Sequence, residues 1–496
     1  MPQTAAVRLK GAVALVACYF VLNICLRLVL PDSLELDEAE QAFSSQFLLA
    51  GYGPQPPFYD WIQYALVAVT GISLLSLTVL KNAILFLGYL FYGLAARIVL
   101  KDRSMAGIVM LSLITLPQVA FMAQRDLTHT VAVIFAASLF LYGLFRLLDR
   151  GDTGSYLIVG IATGIGLISK YNFALLPLSA FLAVLLDPDF RRRLLDFRLL
   201  IVIVIAAMIV LPHAIWLLGN LELASAGTLE KMVDARQMSW FAVTGKGLLS
   251  LVVAVLAFSA LTVALLFAAF RGDFLRAIKA ETRWTRLIGR MMLISLIAVV
   301  IIILATNATH IRERWLTPFL MVLPLYIFLK IEASGIDMTA GLRRFFVVVP
   351  VLMAVVLLSL YVRTAGGSWI GEYTKLNVPF AAFARSATAE RKPGLIIAAD
   401  QYTAGNMRIQ LPDIPIITPR APSKTAPAGL ASLGPVLVVW AADEGADPTM
   451  PEELADFLRT AGITPESLTQ HSLALPYYYG RAGDVRGFGY LWLPAS

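Results

Sequence analysis

The run GAVALVACYFVLNICLRLVL, Gly11 to Leu30, passes directly into PDSLELDEAEQAF, Pro31 to Phe43. A mostly apolar run of this length matches the roughly 20 residues a helix needs to cross a bilayer. It ends on four carboxylates, Glu35, Asp37, Glu38 and Glu40. The run follows Arg8 and Lys10 and lacks a small-residue cleavage site, so it reads as a retained anchor and not as a removed signal peptide. The junction therefore marks a membrane boundary, and the question is which side the carboxylates face.

The same alternation continues along the chain. Its 496 residues are 58% hydrophobic and 15% charged, with a mean hydropathy of +0.76. No soluble packing buries that much apolar surface, and the composition specifies a polytopic α-helical membrane protein. Eleven candidate spans are expected, at 11–30, 81–100, 105–122, 128–146, 155–169, 171–186, 199–219, 245–270, 289–306, 315–330 and 345–363. Residues 62–80, IQYALVAVTGISLLSLTVL, are also long enough to cross. A crossing there would invert every later loop and put DFRRRLLDFR outside, so this segment is expected to lie near the outer interface as an amphipathic or re-entrant helix.

Basic residues fix the orientation. With the N-terminus inside, the inner segments hold 19 Lys and Arg and the outer connections six, namely Arg125, Lys170, Lys231, Arg236, Arg312 and Arg314. This asymmetry follows the positive-inside rule and turns the carboxylates after the first span outward. The net charge of +7 is thereby explained by topology, without nucleic acid. Cys18 and Cys25, both within the first span, offer no disulfide framework.

After Arg363 the composition changes. Residues 364–496 hold 12 acidic and 10 basic residues, frequent prolines and β-rich runs such as LIIAAD and PVLVVWAAD. Helix-like stretches, PFAAFARSATAE and PEELADFLRTAG, alternate with them, which indicates a small α/β domain. The expected organisation is a catalytic membrane domain over 1–363, whose first outer loop spans 31–80, and an outer-face α/β domain over 364–496. Residues 419–430, PRAPSKTAPAGL, read as a mobile loop.

Several ionisable residues reach the same outer face. The third span ends at AQRDLTHT, with Arg125, Asp126 and His129; the fifth at GLISKYNF, with Lys170; the ninth at NATHIRERW, with His310, Arg312, Glu313 and Arg314. A single carboxylate at a helix start gains from the helix dipole, and a single lysine near a span end snorkels. Their arrival together, with adjacent Asp37 and Glu38 before the aromatic, proline-rich turn Tyr52, Pro56, Pro57, Tyr59 and Trp61, indicates a site. A carboxylate can take the proton of an attacking hydroxyl, while Lys and Arg stabilise a departing phosphate. That combination suits sugar transfer from a lipid phosphate. No HxxxH or CxxC spacing supports a metal cage around His129, His213 or His310.

The segment LELDEAEQAFSSQFLLAGYGPQPPFYDWIQ resembles the first outer loop of GT-C glycosyltransferases related to protein O-mannosyltransferases, the lipid A aminoarabinose transferase and the rhizobial lipopolysaccharide galacturonosyltransferases. RDLTHT, GLISKYNFALLPL, LPHAIWLLGN and RERWLTPFL resemble further family segments in the same order, over about residues 10–330. The resemblance implies a polyprenyl-phosphate sugar donor and inverting transfer to an envelope glycolipid or glycan, lipid A or lipopolysaccharide core, at the periplasmic face of the bacterial inner membrane. It also implies about 11 to 13 transmembrane helices. By position, Asp37 resembles the catalytic carboxylate and Asp126 the second essential acid. Lys170, Arg312, Arg314 and Arg125 would hold the donor phosphate, while Tyr52, Gln55, Tyr59 and His310 would line the pocket. Glu38 would join the site or bind a divalent cation. Family members often carry His or Lys before the Pro-Pro pair where this chain has Gln55, which leaves metal dependence open.

Two other classes meet the same composition. A transporter or flippase of a lipid-linked saccharide should carry internal repeats and broken helices near the midplane, and the sequence contains no evident repeat. A binding or scaffold protein would not require Asp37 and Asp126 to act together.

Overall fold

The computed structural model describes residues 9–223, 239–420, 434–442 and 446–493. Lys231, Arg236, Arg8 and residues 421–430 of the expected loop lie outside them. Among the described residues seven helices are long and apolar enough to cross a membrane: Leu9–Val29, Leu74–Val99, Thr128–Arg150, Leu199–Leu218, Trp240–Phe270, Arg283–Thr306 and Thr339–Ala365. Two bent pairs, Arg103–Thr115 with Gln118–Arg125 (79°) and Glu313–Leu320 with Leu323–Ala333 (45°), raise the number to nine if each pair is one span. The shorter apolar helices Thr153–Leu167 and Tyr171–Leu185 complete the set. Each of the eleven expected spans falls on one of these elements. The sharper bend sits at Pro117, which cannot donate to the preceding turn.

The segment 62–80 departs from its expected form. It is broken at Gly71, whose φ of +75° is a conformation glycine adopts freely. The part before the break belongs to a 13-residue helix, Phe58–Thr70, too short to cross. The part after it starts the second span, which begins at Leu74 and not at 81. Ser73 and Ser76 cap that start reciprocally, each side chain accepting from the other's backbone N–H at 3.1 and 3.0 Å.

Compact packing divides the chain into two units, and it does not follow the change of composition at residue 363. The first unit is Met1–Val21, Pro54–Tyr59 and Asn82–Val356. In it the Thr153–Leu167 helix packs on Leu199–Leu218 through Gly160 and Gly164. A Cβ at Gly160 would meet the Val202 backbone at 3.1 Å and one at Gly164 would meet Ile209 at 2.8 Å. Small residues one turn apart let helix backbones approach in lipid, where apolar burial alone gives little drive to associate. In the same unit Phe328 meets Phe270 and Phe345 edge to face, with centroids 6.4 and 5.5 Å apart.

The second unit is Leu22–Gly53, Asp60–Lys81 and Leu357–Ser496. Its sheet has the order β2-β1-β3-β5-β4, with β1 (Leu395–Ala398), β2 (Ile416–Ile417), β3 (Val436–Ala441), β4 (His471–Pro476) and β5 (Val485–Trp492). β2, β1 and β3 run parallel, while β5 and β4 form an antiparallel hairpin against β3. The expected helices appear as Phe380–Ala387 and Glu452–Thr460.

The segment after the first span is built into this domain. Phe43 lies in the same apolar core as Phe380, Phe383, Ile396, Val439 and Phe488. The Gln46 side-chain amide pairs with both backbone groups of Ile416, accepting at 2.9 Å and donating at 3.3 Å, and so extends the sheet edge. The helix Leu36–Ser44 packs on Gln401–Gln410, where a Cβ on Gly405 would overlap the Ala39 carbonyl oxygen. Backbone cannot yield there as a side chain can. Gly405→Val is accordingly expected to destabilise the protein by about 1–3 kcal/mol, the usual range for overpacking. A wild-type melting curve for the purified variant would contradict that close approach.

Candidate active site

In the first unit four segments meet through side chains and backbone. The N–H of Phe58 donates to the Ile168 carbonyl (2.9 Å), which anchors the Pro54–Tyr59 segment beside the loop that carries Lys170. Lys170 Nζ donates to Thr130 Oγ1 at 3.0 Å, and the Tyr59 ring lies 6.3 Å from the His129 ring. Asn172 Nδ2 donates to the Trp315 carbonyl at 2.6 Å, tying in the segment with Arg312 and Arg314. The N–H of Ile311, beside the exposed His310, donates to Ser250 Oγ at 2.8 Å.

Asp126 ends the third expected span in a constrained turn. Leu127, which follows it, has φ +64° and ψ +49°, a left-handed conformation unusual for a non-glycine residue. The helix Thr128–Arg150 starts immediately afterwards, presenting His129 and Thr130 from its first turn. Such backbone strain persists where surrounding packing fixes it, and it recurs at functional sites. Asp126 is 8% exposed, Arg125 is half-buried and Arg312 is exposed. Gln55 is half-buried and Tyr59 is buried.

The second unit holds the carboxylates of the opening junction. Asp37 and Glu38 occupy the first turn of Leu36–Ser44, where helix N–H groups favour negative charge. Their neighbours set them apart. Glu38 Oε2 accepts from Arg27 Nη2 at 3.0 Å, its Oε1 from Lys81 Nζ at 2.9 Å, and all three side chains are nearly inaccessible. Burial opposes its ionisation, but Arg27 and Lys81 outweigh that and hold the carboxyl down at about 2. Glu38, expected as a pocket or divalent-cation residue, thus has both oxygens engaged by cations of its own chain. Asp37 is half-buried. Glu35 pairs with Arg363. Tyr52, expected in the pocket, bonds to its own loop, its hydroxyl donating to the Phe47 carbonyl at 2.6 Å and accepting from the Leu49 N–H at 3.1 Å.

No group of three His, Cys, Asp or Glu residues able to hold a metal ion occurs among the described residues. Sequence reasoning missed Thr130 and Asn172, ordinary polar residues with no sequence signal. It also passed over Arg27 and Lys81, whose signal was available, since a charge within an apolar span calls for a partner. Asp60, in FYDW, is the other omission: it is 2% exposed and burial, partly offset by a hydrogen bond from Gln41, pushes its carboxyl up to about 7.

Residues 54–216 match the family model described as dolichyl-phosphate-mannose-protein mannosyltransferase. The chain is 55% identical, over 99% of both chains, to the lipopolysaccharide core galacturonosyltransferase RgtA of Rhizobium johnstonii. It is 44% identical, over 97% of both chains, to the lipopolysaccharide core galacturonosyltransferase RgtB of the same organism. The crystal structure of ArnT from Cupriavidus metallidurans bound to undecaprenyl phosphate shares the fold with a TM-score of 0.59 at 15% identity, covering 98% of each chain. Spans, sheet domain and relatives together define a membrane-embedded glycosyltransferase of the GT-C type. Within that class the chain belongs to the family of the two lipopolysaccharide core galacturonosyltransferases. The flippase alternative is not favoured by these transferase relatives.

Proposed function

We propose that the protein transfers a galacturonosyl residue from a polyprenyl-phosphate donor to lipopolysaccharide core or lipid A on the periplasmic face of the inner membrane. The full-length relationship to galacturonosyltransferases carries this reading. The N-terminus is then cytoplasmic, and the α/β domain over 364–496 lies in the periplasm, as the excess of basic residues on one side supports.

In this reading Asp37 takes the proton of the acceptor hydroxyl as that oxygen attacks the anomeric carbon. The bond from that carbon to the phosphate oxygen breaks, its electron pair leaves on the polyprenyl phosphate, and the sugar configuration inverts. Lys170, Arg125, Arg312 and Arg314 stabilise the growing negative charge on the phosphate. Asp126 serves as the second acid that orients the reacting groups, and Tyr59, Gln55 and His310 line the pocket. The Lys170–Thr130 bond and the tie of Asn172 to Trp315 support the phosphate role, because they hold cations of separate loops in one unit.

The test combines purified full-length protein in one reaction with a lipid extract containing polyprenyl-phosphate galacturonate as donor and with lipopolysaccharide lacking that sugar as acceptor. Mass spectrometry of the acceptor should gain the mass of one hexuronic acid per transfer. Turnover with a neutral hexose donor in its place, and none with the uronate, would overturn the sugar assignment.

A further inference from the structure

The helix face that carries Asp37 continues into a buried polar cluster. Gln41 follows Asp37 by four residues and so lies on the same face one turn on. Its Nε2 donates to Asp60 Oδ1 at 3.1 Å. Gln63 follows Asp60 by three residues on the Phe58–Thr70 helix and shares its face. Gln41, Asp60 and Gln63 are 1%, 2% and 0% exposed. Among the described residues Asp60 Oδ2 and both amide atoms of Gln63 have no hydrogen-bond partner. Buried polar groups are nearly always paired, and orphaned ones mark a place where structure is held for another purpose.

Among the described residues Asp60 forms no ion pair, while Arg27 and Lys81 bind Glu38 and Arg363 binds Glu35. The Tyr52 phenol is its titratable neighbour from the turn, and Tyr64 follows it by four residues on its own helix. Asp37, Glu38 and Glu40 are the carboxylates of the adjoining helix. Burial, opposed by the Gln41 hydrogen bond, puts the Asp60 carboxyl at about 7, so both of its forms are populated near neutrality.

We infer that Asp60 is a positioning residue that acts through Gln41 on the helix face carrying Asp37, its protonation state setting which side of the Gln41 amide faces it. An ionised carboxylate only accepts, and requires the amide NH2. A protonated carboxyl also donates, and can turn to an amide oxygen of Gln41 or Gln63. The inference rests on the reading of Asp37 as the proton acceptor.

The test combines two readouts on the full-length protein in lipid nanodiscs. Infrared difference spectra should contain a protonated-carboxyl band that titrates near pH 7 in wild type and is missing in Asp60→Asn. Gln41→Leu removes a bond that favours the ionised form and should move that midpoint upward. In the transfer assay kcat, with KM steady, should show a limb near pH 7 of about tenfold per pH unit, and Asp60→Asn should flatten it. Loss of the band with the limb unchanged would overturn the positioning role, as would a band that does not titrate. Undiminished transfer by Asp37→Asn would instead remove the reading of Asp37, and the infrared results would stand apart from it.

Discussion

Asp37→Asn is expected to reduce sugar transfer by roughly 10²–10⁴-fold, the usual contribution of a general base, with little change in thermal stability. The substitution keeps the side chain's shape and removes its charge, and with it the ability to hold a proton from the acceptor hydroxyl. Asp37 is half-buried in the first helical turn, where the helix dipole favours its charge by about 0.3–2 kcal/mol. Transfer measured with the lipid-linked donor, beside melting of the same preparation, separates the two effects. Activity above about a tenth of wild type would assign the proton to another group, and Asp126 would be tested next.

The neighbouring carboxylate should behave in the opposite way. Glu38→Gln is expected to destabilise the protein by about 3–5 kcal/mol, because it removes the buried negative charge that both Lys81 and Arg27 bond. Arg27 retains the Pro31 and Ser33 carbonyls at 2.8 and 2.7 Å. The sign of the pH dependence follows from a folded-state pKa of about 2 against an ordinary value of 4.5. The stabilisation is present in full above pH 4.5, and it declines as the pH falls from there through 2. That difference corresponds to about 3 kcal/mol, in line with the mutational range. Melting of Glu38→Gln at pH 7, with Glu38→Gln/Lys81→Met beside it, checks the origin of the loss. The double variant should recover part of the stability, and a further fall would mean that Lys81 is held by other partners.

These adjacent residues illustrate where reading the sequence stops. The first-turn carboxylates, the turn with Tyr52 and Tyr59, and the cations Lys170, Arg312 and Arg314 were all visible as residue types at the ends of apolar runs. That Glu38 is neutralised by residues 11 and 43 positions away was not, since nothing in LDEAEQAF distinguishes it from Asp37. The C-terminal domain was legible in its apolar strands β1 and β3 and missed in the β4–β5 hairpin. Gly487 and Gly489 interrupt the pattern of β5, and Gly489 is needed because a Cβ there would overlap the Trp440 ring. In the segment 62–80 hydropathy ran unbroken across Gly71, where the backbone turns.

The sequence alone determined which stretches enter the membrane, because a helix in lipid satisfies its own backbone hydrogen bonds and must present apolar side chains along its length. Both properties are local, and they are readable residue by residue. Only the tertiary structure decided which carboxylates are ionised and held, which carry unpaired oxygens, and which segments share a core with the C-terminal sheet. The state of a buried charge depends on desolvation and on cations delivered by remote helices. The docking of Leu36–Ser44 against Gln401–Gln410 depends on one glycine more than 350 residues along the chain from Ala39.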